Sequence, residues 1–210
     1  VSTFHSTCVR ILRRYIDRLG FDNNFTIYDT DDQKSVMKEV CKKLEIDTKM
    51  LKERTIMSAM SSAKDELISP MEYEMQNIGD YNGSRIAKAY KEYQATLRKN
   101  NALDFDDLLI KTEELFKKSN DVLEVYRRYF HYILVDEFQD TNDRQKQLIY
   151  LLCGDDATKL QGRKLFVVGD PKQSIYRFRG ADVSVFAEVR QAIKEQGGVD
   201  ITLPDNFRTV

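Results

Sequence analysis

Two short apolar runs, YILV at residues 132–135 and LFVV at residues 165–168, are bounded by polar residues and separated by a helical pattern over residues 144–152. Continuous apolar runs of this length that alternate with helices indicate buried parallel strands, because helices cover both faces of a parallel sheet. A third strand is predicted at residues 199–203, after a helix through Val183, Phe186, Val189 and Ile193 that Asp182 caps and Gly197 stops. The chain is therefore expected to hold an open α/β sheet. Such sheets bind ligands beyond the carboxyl ends of their strands.

Upstream the pattern is helical. Cys8, Ile11, Leu12, Tyr15 and Leu19 recur at helical spacing and stop at Gly20, with Arg10, Arg13, Arg14 and Arg18 on the other faces. A second helix is predicted over residues 30–46, with Thr30 and Gln33 at capping-box spacing, and a third over residues 49–67. Residues 69–83 contain Pro70, Gly79 and Gly83 and are expected only to connect. Helix resumes through Ile86, Tyr90, Tyr93 and Leu97. Asp104 then caps a helix whose third position is Asp107 and whose buried stripe is Phe105, Leu108, Leu109 and Phe116. The coarse organisation is an all-helical insert, residues 26–102, within an α/β unit.

With 33 Lys and Arg against 34 Asp and Glu the formal net charge is −1, so a nucleic-acid partner would have to be held by local patches. Residues 161–180 carry Arg163, Lys164, Lys172, Arg177 and Arg179 against Asp170 alone, and residues 1–20 carry four arginines against Asp17. A hydrophobic share of 41% sustains a packed core and excludes a disordered chain. Cys8, Cys41 and Cys153 are odd in number and lack zinc-ligand spacing, which predicts reduced thiols in a cytoplasmic protein. No apolar stretch approaches the roughly 20 residues of a membrane helix. The first residue is Val1 and not Met, from which the edge of a longer chain is expected. Neither a G-x-x-x-x-G-K-[ST] loop nor a G-x-G-x-x-G fingerprint occurs, and His5 and His131 have no nucleophile or metal-ligand set around them.

The YILV run ends in Asp136-Glu137. An Asp there can hold Mg²⁺, directly or through water, and the adjacent Glu can orient or deprotonate a water that attacks a γ-phosphate. An ordinary acidic pair at a strand end fits the spacing equally well. The LFVV run ends in Gly169-Asp170 and leads into PKQSIYRFRG. Gln173 is a neutral amide able to contact a phosphate or the attacking water. Tyr176 and Phe178 alternate with Arg177 and Arg179, which suits base stacking beside phosphate neutralisation. Arg208 follows the third predicted strand and so comes to the same sheet edge, where an arginine can stabilise charge on a transferring phosphoryl group. On spacing alone, a surface arginine is the simpler account.

The segments TFHSTCVRILRR, LDFDDLL, YILVDEFQDTNDRQ, VVGDPKQSIYRFRGAD and LPDNFRT, in this order and spanning residues 3–209, resemble motifs of the UvrD/Rep/PcrA superfamily 1 DNA helicases, including the related RecB and AddA subunits. The resemblance implies a RecA-like P-loop NTPase fold, a parallel sheet flanked by helices with an all-helical inserted subdomain. Residues 1–25 and 103–210 would be part of the first motor domain (1A) without its P-loop, and residues 26–102 the helical insert (1B). It further implies ATP and Mg²⁺ as cofactors, with Asp136 and Glu137 as the Walker B pair serving Mg²⁺ and the catalytic water. Gln173 would be the γ-phosphate-sensing glutamine and Arg208 the arginine on the γ-phosphate. Tyr176 and Phe178, with Arg179 beside them, match positions that stack bases of the translocating single strand, and Thr3, Phe4 and His5 match a DNA-contacting motif. The implied partners are single-stranded and duplex DNA. The implied function is an ATP-dependent helicase or translocase of DNA repair, replication or recombination.

There are departures from the family pattern. Phe178 stands where UvrD and PcrA carry Trp, and Pro171-Lys172 replaces a small-acidic pair, which is closer to the helicase-nuclease subunits of the AddA/RecB type; the first segment is closer to PcrA. In this family the P-loop precedes the TFHS segment and a second motor domain follows NFRT. The 210 residues alone are therefore expected neither to hydrolyse ATP nor to unwind DNA. The rival expectation is a non-catalytic DNA-binding or scaffolding module that kept the fold. The joint presence of Asp136, Glu137, Gln173 and Arg208 speaks against a decayed site.

Overall fold

A computed structural model describes residues 1–156, 159–160, 164–170 and 183–202. Thr3 takes an extended backbone and its hydroxyl accepts a hydrogen bond from the Ser6 amide (3.2 Å), which starts α1 (Phe4–Tyr15). Cys8, Ile11 and Leu12 are its buried face, and Arg13 and Arg14 fall in its last turn, where cations suit the partial negative charge of a helix end. A 3-10 turn, Ile16–Leu19, follows, and Gly20 ends it in the left-handed region (φ 74°). Glycine is favoured there by the backbone; a Cβ at Gly20 would stand 2.8 Å only from the far end of the flexible Arg98 side chain.

β1 (Thr26–Ile27) leads into α2 (Thr30–Lys43), α3 (Glu53–Asp65), α4 (Pro70–Gln76) and α5 (Tyr81–Lys99). β2 (Ala102–Leu103) then returns to pair in parallel with β1, Thr26 opposite Ala102 and Ile27 opposite Leu103. Two starts differ from the periodicity. The cap of α2 is Asp29, whose carboxylate accepts the Asp31 and Asp32 amides (2.8 and 2.9 Å) while Asp32 returns a bond to the Asp29 amide (3.1 Å); Thr30 and Gln33 do not form the box. An ionised oxygen is the stronger acceptor at a helix start. The stretch expected only to connect contains α4. Pro70 sits in its first turn, where a missing N–H costs nothing, and Ser69 and Glu72 cap each other.

After β2 come α6 (Phe105–Lys118), α7 (Asn120–Tyr129), β3 (Ile133–Val135), a 3-10 turn (Phe138–Asp140), α8 (Asp143–Cys153), β4 (Gly154–Asp156), β5 (Lys159–Leu160), β6 (Leu165–Val167) and α9 (Val183–Glu195). β3 and β6 pair in parallel, Leu134 opposite Phe166 and Val135 opposite Val167, as the two apolar runs predict. β4 and β5 form a small antiparallel pair. Among the described residues the β3–β6 pair buries one face only. Val135 is in the core, whereas Leu134 and Phe166 are 65% and 56% exposed, against the expectation of burial on both sides. The strand predicted at residues 199–203 is not formed over its described part, residues 199–202. Gly197 (φ 76°) turns the chain, and Asp200 accepts from Arg190 (2.8 Å) and pairs with Lys194 (2.9 Å), which ties the segment back onto α9. Asp182, the predicted cap, lies outside the described residues.

Three apolar clusters hold these elements. α1, α6, α7 and α8 share one that includes Ile11, Leu12, Leu108, Leu115, Phe116 and Leu148. The buried members of a second all fall within residues 36–102, from α2, α3 and α5 among others, with Met37, Ile56, Tyr93 and Leu97. The third lies between the β3–β6 pair, α8 and α9, with Val135, Phe138, Ile149, Val185 and Val189. Each fully buried Leu, Ile or Phe stabilises the fold by about 1.5–3 kcal/mol. Leu108, Leu109 and Phe116 are the buried stripe of α6, but Phe105 is 47% exposed and not part of it.

Candidate functional site

The carbonyl of Val135, the last residue of β3, accepts the Val168 amide (2.9 Å), and the Phe138 amide closes back on the Val168 carbonyl (2.9 Å). The chain between these bonds is therefore fixed against the end of β6. Asp136 and Glu137 emerge there, both exposed. Glu137 adopts a left-handed backbone (φ 50°, ψ 41°), a strained conformation for a residue with a side chain. Its amide donates to Asp136 Oδ1 (2.9 Å), which orients that carboxylate. Among the described residues neither carboxylate is in an ion pair.

The layer beneath the pair is locked. Phe138 is fully buried against Phe186 (ring centres 5.9 Å), and Gln139 is buried with its Oε1 accepting the Asp170 amide (3.1 Å). A Cβ at Gly169 would lie 2.5 Å from Gln139 Oε1, so only glycine lets the two loops approach this closely. Gln139 thus joins the ends of both parallel strands. It stands inside the DEFQDTN segment, yet no periodicity or charge signal singles it out.

Of the residues predicted for nucleotide chemistry, Asp136 and Glu137 come together at this edge; Gln173 and Arg208 lie outside the described residues, as do Tyr176, Phe178 and Arg179. Thr3, Phe4 and His5 open α1. Thr3 is exposed and caps the helix. Phe4 is half-buried and packs against both the α1/α6 cluster and the sheet cluster. His5 is half-buried with its ring edge-on to Phe105 (ring centres 6.0 Å, 73°). Burial pulls the His5 imidazole below its ordinary pKa, with Asp106 acting in the opposite sense and Arg144 reinforcing the fall. Among the described residues no group of three or more His, Cys, Asp or Glu is arranged around a metal position, so Asp136 stands as a single candidate ligand.

Residues 1–194 match the family model described as the UvrD/REP helicase N-terminal domain. The chain belongs to this helicase family. It is 45% identical over 209 residues to the ATP-dependent DNA helicase PcrA of Staphylococcus aureus (strain Mu50 / ATCC 700699), a match covering 100% of this chain and 27% of the relative. To the PcrA of Bacillus subtilis (strain 168) it is 49% identical over 184 residues, covering 88% of this chain and 24% of the relative. The chain thus spans about a quarter of the length of the curated relatives it matches. These similarities place it with the UvrD/PcrA type, despite Phe178 and Pro171-Lys172.

In this UvrD/REP helicase chain a second acidic pair is buried. Asp104 and Asp107 cap α6 reciprocally, the Asp107 amide donating to Asp104 Oδ1 (2.8 Å) and the Asp104 amide to Asp107 Oδ2 (3.3 Å). Their other oxygens receive Lys64 of α3, which is 1% exposed and donates from Nζ to Asp104 Oδ2 (2.6 Å) and Asp107 Oδ1 (2.9 Å). The Tyr93 hydroxyl adds a bond to Asp104 Oδ2 (3.1 Å) and the Gln94 amide one to Asp107 Oδ1 (3.0 Å). Burial opposes the charge on Lys64, but the carboxylates of Asp107 and Asp104 outweigh it and hold the ammonium above its ordinary pKa. Burial, reinforced by the charge of Asp107, pushes the Asp104 carboxyl up to about 6. Asp107 moves the other way: burial again opposes its charge, but Lys64 prevails and holds it below the usual carboxylate value. The capping pair is legible in the sequence; Lys64, 40 residues upstream, is not.

Proposed function

We propose that this chain is a segment of the first motor domain of an ATP-dependent DNA helicase, a translocase that moves on single-stranded DNA in repair, replication or recombination. The observation that carries the reading is the exposed Asp136-Glu137 pair at the carboxyl end of β3, stitched by Gln139 to Gly169-Asp170 at the end of β6. Ligands bind at that edge of a parallel sheet. Asp136 is an exposed carboxylate with one oxygen oriented by a backbone amide, the kind of hard oxygen donor that Mg²⁺ takes along with waters and phosphate oxygens. Glu137 is the base that orients and deprotonates the attacking water. Bound Mg²⁺ would supply charge neutralisation on the ATP phosphates.

Gln173 and Arg208 are assigned to the γ-phosphate, and Tyr176, Phe178 and Arg179, with Thr3, Phe4 and His5, to the single strand; their motif matches support these roles. For His5 there is further support, its place beside the exposed ring of Phe105. The separate apolar cluster within residues 36–102, together with the paired strands β1 and β2 at its two ends, supports residues 26–102 as a helical insert, and the motif resemblance assigns duplex DNA to that insert. Residues 1–25 and 103–210 are then a partial RecA-like motor domain. The three cysteines are free and buried, which fits a reducing cytoplasm. Among the described residues no helix is long and apolar enough to cross a membrane.

The purified chain, whose sequence holds no phosphate-binding loop, should bind a fluorescent single-stranded oligonucleotide with an affinity that falls as salt rises, and should turn over no ATP with or without it. ATP turnover would overturn the assignment of the site as incomplete. Failure to bind the oligonucleotide would overturn the nucleic-acid assignment.

A further inference from the structure

α4 presents two unlike sides. Tyr73 turns inward, packs against the apolar cluster of α2, α3 and α5, and sets its ring edge-on to Tyr90 (ring centres 6.4 Å, 84°). The Tyr90 hydroxyl donates to the Ile68 carbonyl, just before the helix (3.2 Å). At the far end Asn77 approaches α5 so closely that a Cβ at Gly83 would stand 2.7 Å from the Asn77 Cβ, so glycine is required there. α4 is thereby fixed on α5. Met71, Met75 and Ile78 fall on the side away from Tyr73, at the i, i+4 and i+7 spacing of one helical face, and are 69%, 65% and 81% exposed. Four carboxylates, Glu66, Glu72, Glu74 and Asp80, are exposed along the same stretch, and among the described residues none of them is in an ion pair. Residues 65–84 hold five acids and no Lys or Arg. The next cation, Arg85, lies over the Tyr81 ring (4.7 Å to its centre). A row of apolar side chains held in water and rimmed by charge of one sign marks a binding surface. Its sign excludes DNA, whose phosphates would be repelled, and the exposed cations of the insert are carried by other segments, Lys88, Lys91 and Lys99 of α5 among them.

We propose that the Met71, Met75 and Ile78 face of α4 docks a protein partner, through an amphipathic helix whose apolar seam is flanked by Lys or Arg. Three apolar side chains at this spacing are the anchors by which one helix is read by another surface. Methionine is unbranched and polarizable, so it moulds to an incoming seam. The exposed carboxylates on the rim attract the partner's cations and set the salt dependence, while the apolar row supplies the affinity. Tyr73 and Gly83 already hold α4 in place, so the helix need not be ordered at the moment of binding. The inference does not depend on the DNA reading: it assigns to an acidic segment a partner that the basic segments would not hold.

The test uses the 210-residue chain and a fluorescently labelled synthetic amphipathic helix of leucine and lysine, read by anisotropy. Two control peptides carry the same leucine seam with glutamate in place of lysine, or the same composition shuffled so that no seam forms. The leucine-lysine helix should bind at least about 10-fold more tightly than either control. Met71→Ser/Met75→Ser/Ile78→Ser should weaken it by about 10-fold or more, the scale of three lost apolar contacts, and should leave cooperative thermal melting unchanged because all three positions are exposed. Glu66→Gln/Glu74→Gln, which leaves the capping side chains in place, should weaken it by about 2- to 10-fold and flatten its salt dependence. Equal affinity for the glutamate peptide, a serine variant that binds like wild type, or a wild-type chain that binds none of the peptides would each overturn the proposal. Lost affinity of the serine variant for a duplex oligonucleotide would give the face to DNA, and a wild-type self-association in sedimentation that the serine variant abolishes would give it to a second copy; either result overturns the proposal. In the proposed full-length motor the leucine-lysine helix should bind with comparable affinity. Binding to the 210-residue chain alone would make another part of the same protein the occupant, and the proposal would fall.

Discussion

Asp104 and Asp107 are 3% and 2% exposed, and all four of their carboxylate oxygens accept at least one hydrogen bond. Asp136 and Glu137 are both exposed, and among the described residues only one backbone amide is bonded to the pair. In sequence both are acidic pairs next to apolar runs. The difference lies in unused bonding capacity. A carboxylate whose lone pairs are already filled from within the fold has nothing to offer a metal ion or a water, and its charge is a cost that a buried cation must offset. A carboxylate held at one oxygen and otherwise open is oriented and still free to act. The first pair builds the fold; the second is where chemistry can occur.

The strongest way to break this contrast is to neutralise the open pair in the proposed full-length motor. Glu137→Gln should lower kcat for DNA-stimulated ATP hydrolysis by about 10²- to 10⁴-fold, the usual contribution of a general base. Its melting temperature should barely move, since exposed substitutions without partners change stability by about 0.5 kcal/mol or less. Steady-state ATPase assays and thermal melting check the two halves. A large stability loss with intact turnover would exchange the roles given to the two pairs.

The closed pair should respond in the opposite way. Lys64→Met leaves two carboxylates buried without their cation, which typically costs about 3–5 kcal/mol. Urea unfolding of the chain should show it as a lower midpoint. Converting both aspartates to asparagine in the same variant should recover most of the loss, because the unpaired charge disappears while the helix keeps a capping side chain. If Lys64→Met alone proves nearly neutral, the bonds of Lys64 to Asp104 and Asp107 do not hold the fold as described.

Much of this was legible from local signals. The two apolar runs pair in parallel as expected, and Asp104 with Asp107 does cap α6, because strand hydrophobicity and helix capping are written within a few residues. Signals of the same range also mislead. Pro70, read as a breaker, is a first-turn residue of α4; Thr30 beside Asp29 imitates a cap that the stronger acceptor takes; and Phe105 fits the spacing of a stripe it does not join. α7 has a helical pattern of its own in Val122, Leu123 and Tyr126, but only Ser119 separates it from α6, so the two patterns run together. What the sequence cannot display is long-range partnership. Lys64 and Gln139 act on residues 40 and 31 positions away, and only folding brings those together. The same holds for residues 199–202, where a strand-like composition is overruled by the attachment of Asp200 to α9.

The pH dependence of stability sharpens the contrast by a smaller amount. The Asp104 carboxyl lies at about 6 in the folded chain against a reference of 3.8. Between those values the folded state holds a proton that the unfolded chain has released, so stability falls as pH rises through the window. Asp107, shifted downward, acts only below it: the stability it contributes is present above its unfolded value and is lost as pH falls toward the lower folded one. Relative to Asp104→Asn, which has no carboxyl to titrate, the wild-type chain should lose on the order of 1–3 kcal/mol between about pH 4 and pH 7. Chemical denaturation at matched ionic strength measures the difference. A difference that grows with pH would reverse the assignment of the raised carboxyl.

The smallest effect concerns the backbone of the open pair. Glu137 holds φ at 50°, in the left-handed region that costs a residue with a Cβ about 1–2 kcal/mol. Glycine pays no such penalty but gives up about 0.5–1 kcal/mol of additional chain entropy on folding. Glu137→Gly should therefore stabilise the chain by roughly 0.5–1 kcal/mol, whereas Glu137→Ala, which keeps the Cβ, should not. Both lose the carboxylate, so both should be equally inactive in the full-length motor. A stabilising glycine beside a neutral alanine would show that the fold tolerates strain at this position for the sake of the side chain it presents. The same gain in both variants would instead trace the effect to removal of negative charge beside Asp136, and the left-handed turn would carry no strain worth naming.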